Sequence, residues 1–100
     1  MAEIKDFHGT KIGRHTVDGV EMLDNDTCIL YFEEEFDKGE NNAGVCTQVE
    51  RWLDEDKWVF QDLWYDSEGM FLDSVESERL CGWEIKKSKE IINEFLKQVQ

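Results

Sequence analysis

The chain has 100 residues, and its 24 Asp and Glu against 11 Lys and Arg give a formal net charge of −13. With 40% hydrophobic and 12% aromatic residues it is too apolar for a disordered acidic tail, yet no stretch approaches the ~20 apolar residues a membrane helix needs. Charge of this sign repels nucleic-acid phosphates and anionic membranes, so neither is expected as a direct ligand.

The length predicts a single domain over residues 1–100 with one modest core. The charge is uneven along it. Between Glu21 and Glu78 there are 18 acids and three bases, Lys38, Arg51 and Lys57. The first 20 residues balance, and the segment from Arg79 to Gln100 carries a small positive excess.

In chain order, Met1 to Thr10 shows no apolar run of the kind a signal peptide has. His8 and His15 fall in a polar, glycine-punctuated stretch and are expected to be exposed. Val20–Leu23 and Thr27–Phe32 flank Asp24-Asn25-Asp26, a hairpin pattern. A loop is expected from Asp37 to Ala43. Residues 45–53 and 58–65 are rich in β-branched and aromatic residues around the polar turn Asp54–Lys57. Another turn, Asp66–Gly69, precedes a strand at 70–75, and Arg79–Ile85 reads as a further strand. Ile91, Ile92, Phe95, Leu96 and Val99 then recur at helical spacing. They predict a helix from about Lys89 to Val99 with Ser88 as its N-cap. Lys86, Lys87 and Lys89 would sit near its positive end and are expected to face the acidic sheet.

Together these elements predict an α+β fold. It is a curved antiparallel meander of five or six strands, with one C-terminal helix packed on one face. Pairing Leu53 with Trp58 and Tyr65 with Met70 sorts the side chains by face. One face carries Val49, Leu53, Trp58, Phe60, Trp64, Phe71 and Val75; the other carries Trp52, Val59, Leu63, Tyr65, Met70 and Leu72. One short helix covers one of these. The second calls for closure of the sheet, a second copy of the chain or a partner. Strands followed by a C-terminal helix make an order similar to that of pleckstrin-homology domains. Such a domain bound to phosphoinositides needs a basic pocket, and this chain has no basic cluster to build one, so the resemblance implies architecture only.

Acids two positions apart recur: Asp24/Asp26, Glu33/Glu35, Asp54/Asp56, Asp66/Glu68 and Glu76/Glu78. On a strand such pairs lie about 6.5–7 Å apart on one face, close to the step between phosphates of a nucleic-acid strand. Turn chemistry and solubility account for some of them. Calcium loops need Gly at position 6, but counting from Asp24 or Asp54 that position is Ile29 or Val59. Cys28, Cys46 and Cys81 form no Cys-x-x-Cys pair, so neither a disulfide framework nor a zinc site is expected, and free thiols in a reducing cytoplasm are. No glycine-rich phosphate loop or catalytic motif occurs.

The expectation is therefore a non-enzymatic, cofactor-free binding or inhibitor protein. Its acidic surface would dock on a basic partner protein, one that itself binds nucleic acid, as phage anti-defence proteins and nuclease-immunity proteins do as classes. The docking residues expected are Glu33, Glu34, Glu35, Asp37, Asp54, Glu55 and Asp56. The alternative is a ligand-binding or accessory domain, or a homodimer, that uses Trp52, Tyr65 and Leu72 as its interface.

Overall fold

A computed structural model describes residues 7–37 and 43–99. The elements are β1 Lys11–Ile12, β2 His15–Met22, β3 Thr27–Phe32, β4 Glu35–Asp37, β5 Ala43–Trp52, β6 Lys57–Tyr65, β7 Phe71–Glu76 and α1 Gly82–Val99. The strands pair antiparallel in the order β1-β2-β3-β5-β6-β7, and β4 pairs with β5. β3 meets the second half of β5 and β4 its first residues, so β3 and β4 form one line of chain interrupted at Glu33 and Glu34. This is the expected α+β meander with one C-terminal helix. Among the described residues the sheet does not close on itself: β1 and β7 are its edges. Of the loop expected at Asp37–Ala43, residues 38–42 lie outside the described residues, and so do the side chains of Asp37 and Ala43.

The turns owe their shape to aspartates. Asp24 Oδ1 accepts the Asp26 N–H at 2.8 Å, and Asp66 Oδ1 accepts the N–H groups of Glu68 and Met70 at 2.9 Å each. A short carboxylate bonding its own downstream backbone stabilises a turn against the extended chain. Asp56, at φ 51°, occupies the left-handed conformation that Asp tolerates better than most residues.

The β5–β6 register differs from expectation by two residues. Trp52 pairs with Lys57 and Arg51 with Trp58. The physical reason is Leu53, whose N–H donates to the Asp26 carbonyl of the neighbouring hairpin at 2.7 Å and so leaves the β5–β6 ladder. A shift of two preserves which face each side chain occupies. A bulge in the β6–β7 pairing does not: it sets Phe71 opposite Tyr65, with ring centroids 5.8 Å apart. Phe71 therefore joins the Tyr65 face, not that of Trp64.

The Arg79–Ile85 strand is not formed. α1 begins at Gly82, because Glu84 reaches back to accept the Cys81 N–H at 2.9 Å, the carboxylate half of a capping box. Ser88 is thus no cap. It is buried in mid-helix, and its hydroxyl donates to the Glu84 carbonyl at 2.8 Å. The 18-residue helix is roughly 27 Å long. The lysines stand one turn inside it. Lys89 lies over the rings of Trp58 and Phe60, at 5.3 and 5.8 Å, so it meets aromatic faces instead of carboxylates.

Ile91, Ile92, Phe95 and Leu96 pack with Ile12, Val17, Cys28, Leu30, Phe32 and Val49 in the core, with Trp58 and Phe60 at its margin. The helix covers the Val49/Trp58/Phe60 face. Fully burying each aliphatic side chain contributes roughly 1.5–3 kcal/mol, which makes this contact the main attachment of helix to sheet.

Candidate interaction surface

Two polar clusters anchor the segment that joins β7 to α1. In the first, the Asp62 carboxylate is buried and accepts Thr47 Oγ1–H at 2.9 Å, Ser77 Oγ–H at 2.8 Å and the Glu78 N–H at 3.1 Å. A buried carboxylate with its lone pairs met by donors holds the crossover in one geometry.

The second cluster centres on His15, which is 2% exposed, a correction to the exposed position expected for it. Nothing local in a Gly-Arg-His-Thr stretch signals burial; the pairing of Ile12 with His15 across β1 and β2 brings it in. His15 Nδ1 lies 2.8 Å from Glu35 Oε2 and Nε2 lies 3.1 Å from the Arg79 carbonyl oxygen, both within hydrogen-bond reach, with Glu84 Oε2 at 3.8 Å. Arg79 Nη2 donates to the same Glu35 oxygen at 2.7 Å. Burial pushes the Glu35 carboxyl up, but its hydrogen bonds and charge contacts with Arg79 and His15 outweigh that and hold it below the usual range. Glu84 behaves alike. Burial raises it, and the hydrogen bonding at Cys81 and the charges of His15 and Arg14 bring it below normal. Gly13 is required here, for a Cβ at φ +62° would stand 2.2 Å from Glu84 Oε2.

The expected docking residues separate into groups. Glu33 and Glu34 are exposed at the β3–β4 break, while Glu35 is turned to the helix side and held by His15 and Arg79. Asp54, Glu55 and Asp56 are exposed at the β5–β6 tip, where Asp56 pairs with Arg51. Glu35 is opposite Val45 and this tip follows Trp52, so the two runs lie at opposite ends of β5, roughly 23 Å apart along the strand. What the fold does bring to the tip is the Asp24–Asp26 turn, through the Leu53 to Asp26 backbone bond. The side chain of Asp37 lies outside the described residues.

Register also gathers acids that spacing along the chain did not pick out. Glu21 and Glu50 both oppose Ile29, one from each side, and so share the face turned away from α1. Glu76, opposite Gln61, belongs to the same face. Asp18 protrudes at the β2 bulge, and Glu34 leans over Gly44, where a Cβ would lie 2.6 Å from its Oε1. Against these five, the bases placed on that side among the described strands are Lys57 and, on the β1 edge, Lys11. Cross-strand neighbours two strands apart lie about 9–10 Å from one another, so the carboxylates form a lattice on the sheet instead of a single file.

Cys46 lies within this field. Burial and then the charges of Glu34 and Asp18 push its thiol up. Burial alone pushes Cys28 up to about 12. Cys81 is exposed beside a cleft of about 410 Å³ that Arg14, Arg79, Trp83 and Glu84 help to line.

The alternative interface is dispersed too. Trp52 and Tyr65 are half-buried near opposite ends of the β5–β6 hairpin, and Leu72 is 57% exposed on β7. Instead, four of the exposed large apolar residues gather on or just before β7, Met70, Phe71 and Leu72 with Val75 further along, while Leu23, Trp83 and Val99 are scattered elsewhere. Comparison with protein-family models, with curated proteins and with solved structures finds no match to this chain. The pleckstrin-homology likeness therefore rests on element order alone.

Proposed function

We propose that this chain is a small, non-enzymatic binding protein that docks the open face of its sheet on a basic site of another protein. The observation that carries the reading is the placement of Asp18, Glu21, Glu34, Glu50 and Glu76 on the side away from the helix, opposed there by few bases. A face of one sign raises the association rate with an oppositely charged partner and rejects like-charged ones. A site that holds nucleic acid is a basic concavity of the kind such a face would fit. The inhibitors of nucleases made by phages, and immunity proteins, are the classes this reading resembles. Three unpaired thiols suit a reducing cytoplasm.

The test is capture of partners at low and high salt, then direct binding of the captured protein to wild type and to a Glu21→Gln/Glu50→Gln/Glu76→Gln variant. Docking through this face predicts slower association for the variant, most at low salt. Equal affinities with no salt dependence reject it.

A second reading rests on β7, all six residues of which are exposed at a sheet edge. An edge strand with unpaired backbone groups and apolar side chains is a template for another strand. Sedimentation of wild type and Leu72→Glu separates the readings: a dimer that the variant dissolves assigns the contact to β7.

A further inference from the structure

His8, Asp18 and Glu33 come from three parts of the chain, the turn before β1, the bulge of β2 and the β3–β4 break. Their ligating atoms all lie within 4.8 Å of one another, and all three residues are exposed. The set is one imidazole and two carboxylates. Around a first-row divalent ion with bonds of about 2.1 Å, neighbouring ligand atoms sit roughly 3.0–3.4 Å apart. Ligation would draw the three exposed side chains closer together than they stand here.

The backbone is set for it. The Gly9 N–H donates to the Val17 carbonyl at 2.8 Å, which fixes the turn that carries His8 beside Asp18. The Glu33 N–H donates to the Thr16 carbonyl at 2.8 Å, which fixes the third residue against the adjacent position of β2. The bulge between Val17 and Gly19 takes Asp18 out of the strand's regular pairing. Glu34, exposed and next along the chain from Glu33, adds negative charge nearby. Two carboxylates held together in an already anionic field repel one another, and a bound cation relieves that repulsion.

We propose that His8, Asp18 and Glu33 form a binding site for one divalent first-row metal ion, with zinc preferred over manganese and both over calcium. The imidazole sets the preference. Nitrogen ligands favour the later transition metals, whereas calcium takes six to eight oxygens and gains little from a ring nitrogen. The spacing of the three residues in the sequence, ten and then fifteen positions, matches no local metal pattern; β2 and the line of β3 and β4 bring them together.

A surface with this much acid also attracts cations diffusely, so the test must separate a site from an atmosphere. Isothermal titration of the full chain with zinc, manganese and calcium chlorides supplies the affinities and stoichiometry. The variants are His8→Ala, Asp18→Asn and Glu33→Gln, with Asp54→Asn/Asp56→Asn as a control that removes equal or greater charge elsewhere. The expected result is one zinc per chain, weakened about tenfold or more by each of the three changes and left unchanged by the control. Calcium should bind more weakly than zinc. Zinc should also raise the melting temperature of wild type and of the control but not of His8→Ala, because an ion that binds only the folded state stabilises it. Circular dichroism checks that each variant is folded. Absence of one-to-one zinc binding, equal losses in the control, tighter binding of calcium, or zinc affinity that survives all three changes would each overturn the proposal.

Discussion

His15 and Glu35 are 20 positions apart in the sequence and meet at 2.8 Å, where the glutamate also receives Arg79. The contact joins β2, β4 and the lead-in to α1, so one carboxylate ties three segments. Glu35→Gln removes the charge that His15 and Arg79 face. Leaving such groups without their partner costs about 1–3 kcal/mol. Thermal melts should show Glu35→Gln several degrees below wild type, while Glu34→Gln, an exposed neighbour, stays within about 0.5 kcal/mol. Equal stabilities for the two variants would show that the three-way contact does not hold the segments together.

Acid should weaken the fold through Glu35 and Glu84. Both have folded-state pKa values below the ordinary glutamate range. The unfolded chain then takes up protons at these groups before the folded chain does. The stabilisation is complete above the unfolded value and is lost as pH falls through the folded one. Urea midpoints measured from pH 6 downward should therefore fall in the acid range for wild type. The fall should be shallower in Glu84→Gln, which lacks one of the two groups; a slope identical to wild type would discount Glu84.

The three thiols should differ in reactivity. Cys81 is exposed, Cys46 is partly covered and its thiol raised, and Cys28 is buried with its thiol at about 12. Since the thiolate is the reactive form, a disulfide reagent at neutral pH should label Cys81 first and Cys28 only on unfolding. Mass spectrometry of quenched samples orders them. Early labelling of Cys28 in folded protein would contradict its burial.

Leu30 and Trp52 make a contrast within one sheet. Leu30 is fully buried beneath α1, so Leu30→Ala should cost about 2–5 kcal/mol. Trp52 lies on the other face with its Nε1 buried and without an acceptor, while Lys57 rests 5.1 Å from its ring. Trp52→Phe keeps an aromatic face and removes the unmet donor, and should stay within about 1 kcal/mol of wild type or exceed it. A loss of more than about 2 kcal/mol in denaturant melts would mean that the indole N–H has a partner.

The sequence by itself determined the positions of β3, β5, β6 and β7 but not of the short β4, together with the C-terminal helix and the sorting of most β5–β6 side chains into two faces. These follow from local chemistry: β-branched and aromatic runs, aspartate turns and a 3.6-residue repeat. The faces survived a two-residue register error because side-chain direction repeats every two residues. Tertiary structure alone decided the rest. The helix starts at Gly82 because Glu84 caps it and is itself held near His15, and neither residue shows an apolar repeat. His15 is buried because distant acceptors meet its nitrogens. Among the acids, adjacency along the chain misled. Glu33, Glu34 and Glu35 point to different surroundings, while Glu21, Glu50 and Glu76 share a face. Neighbours on a sheet are set by which strands pair and in what register, and those depend on contacts between residues far apart in the chain.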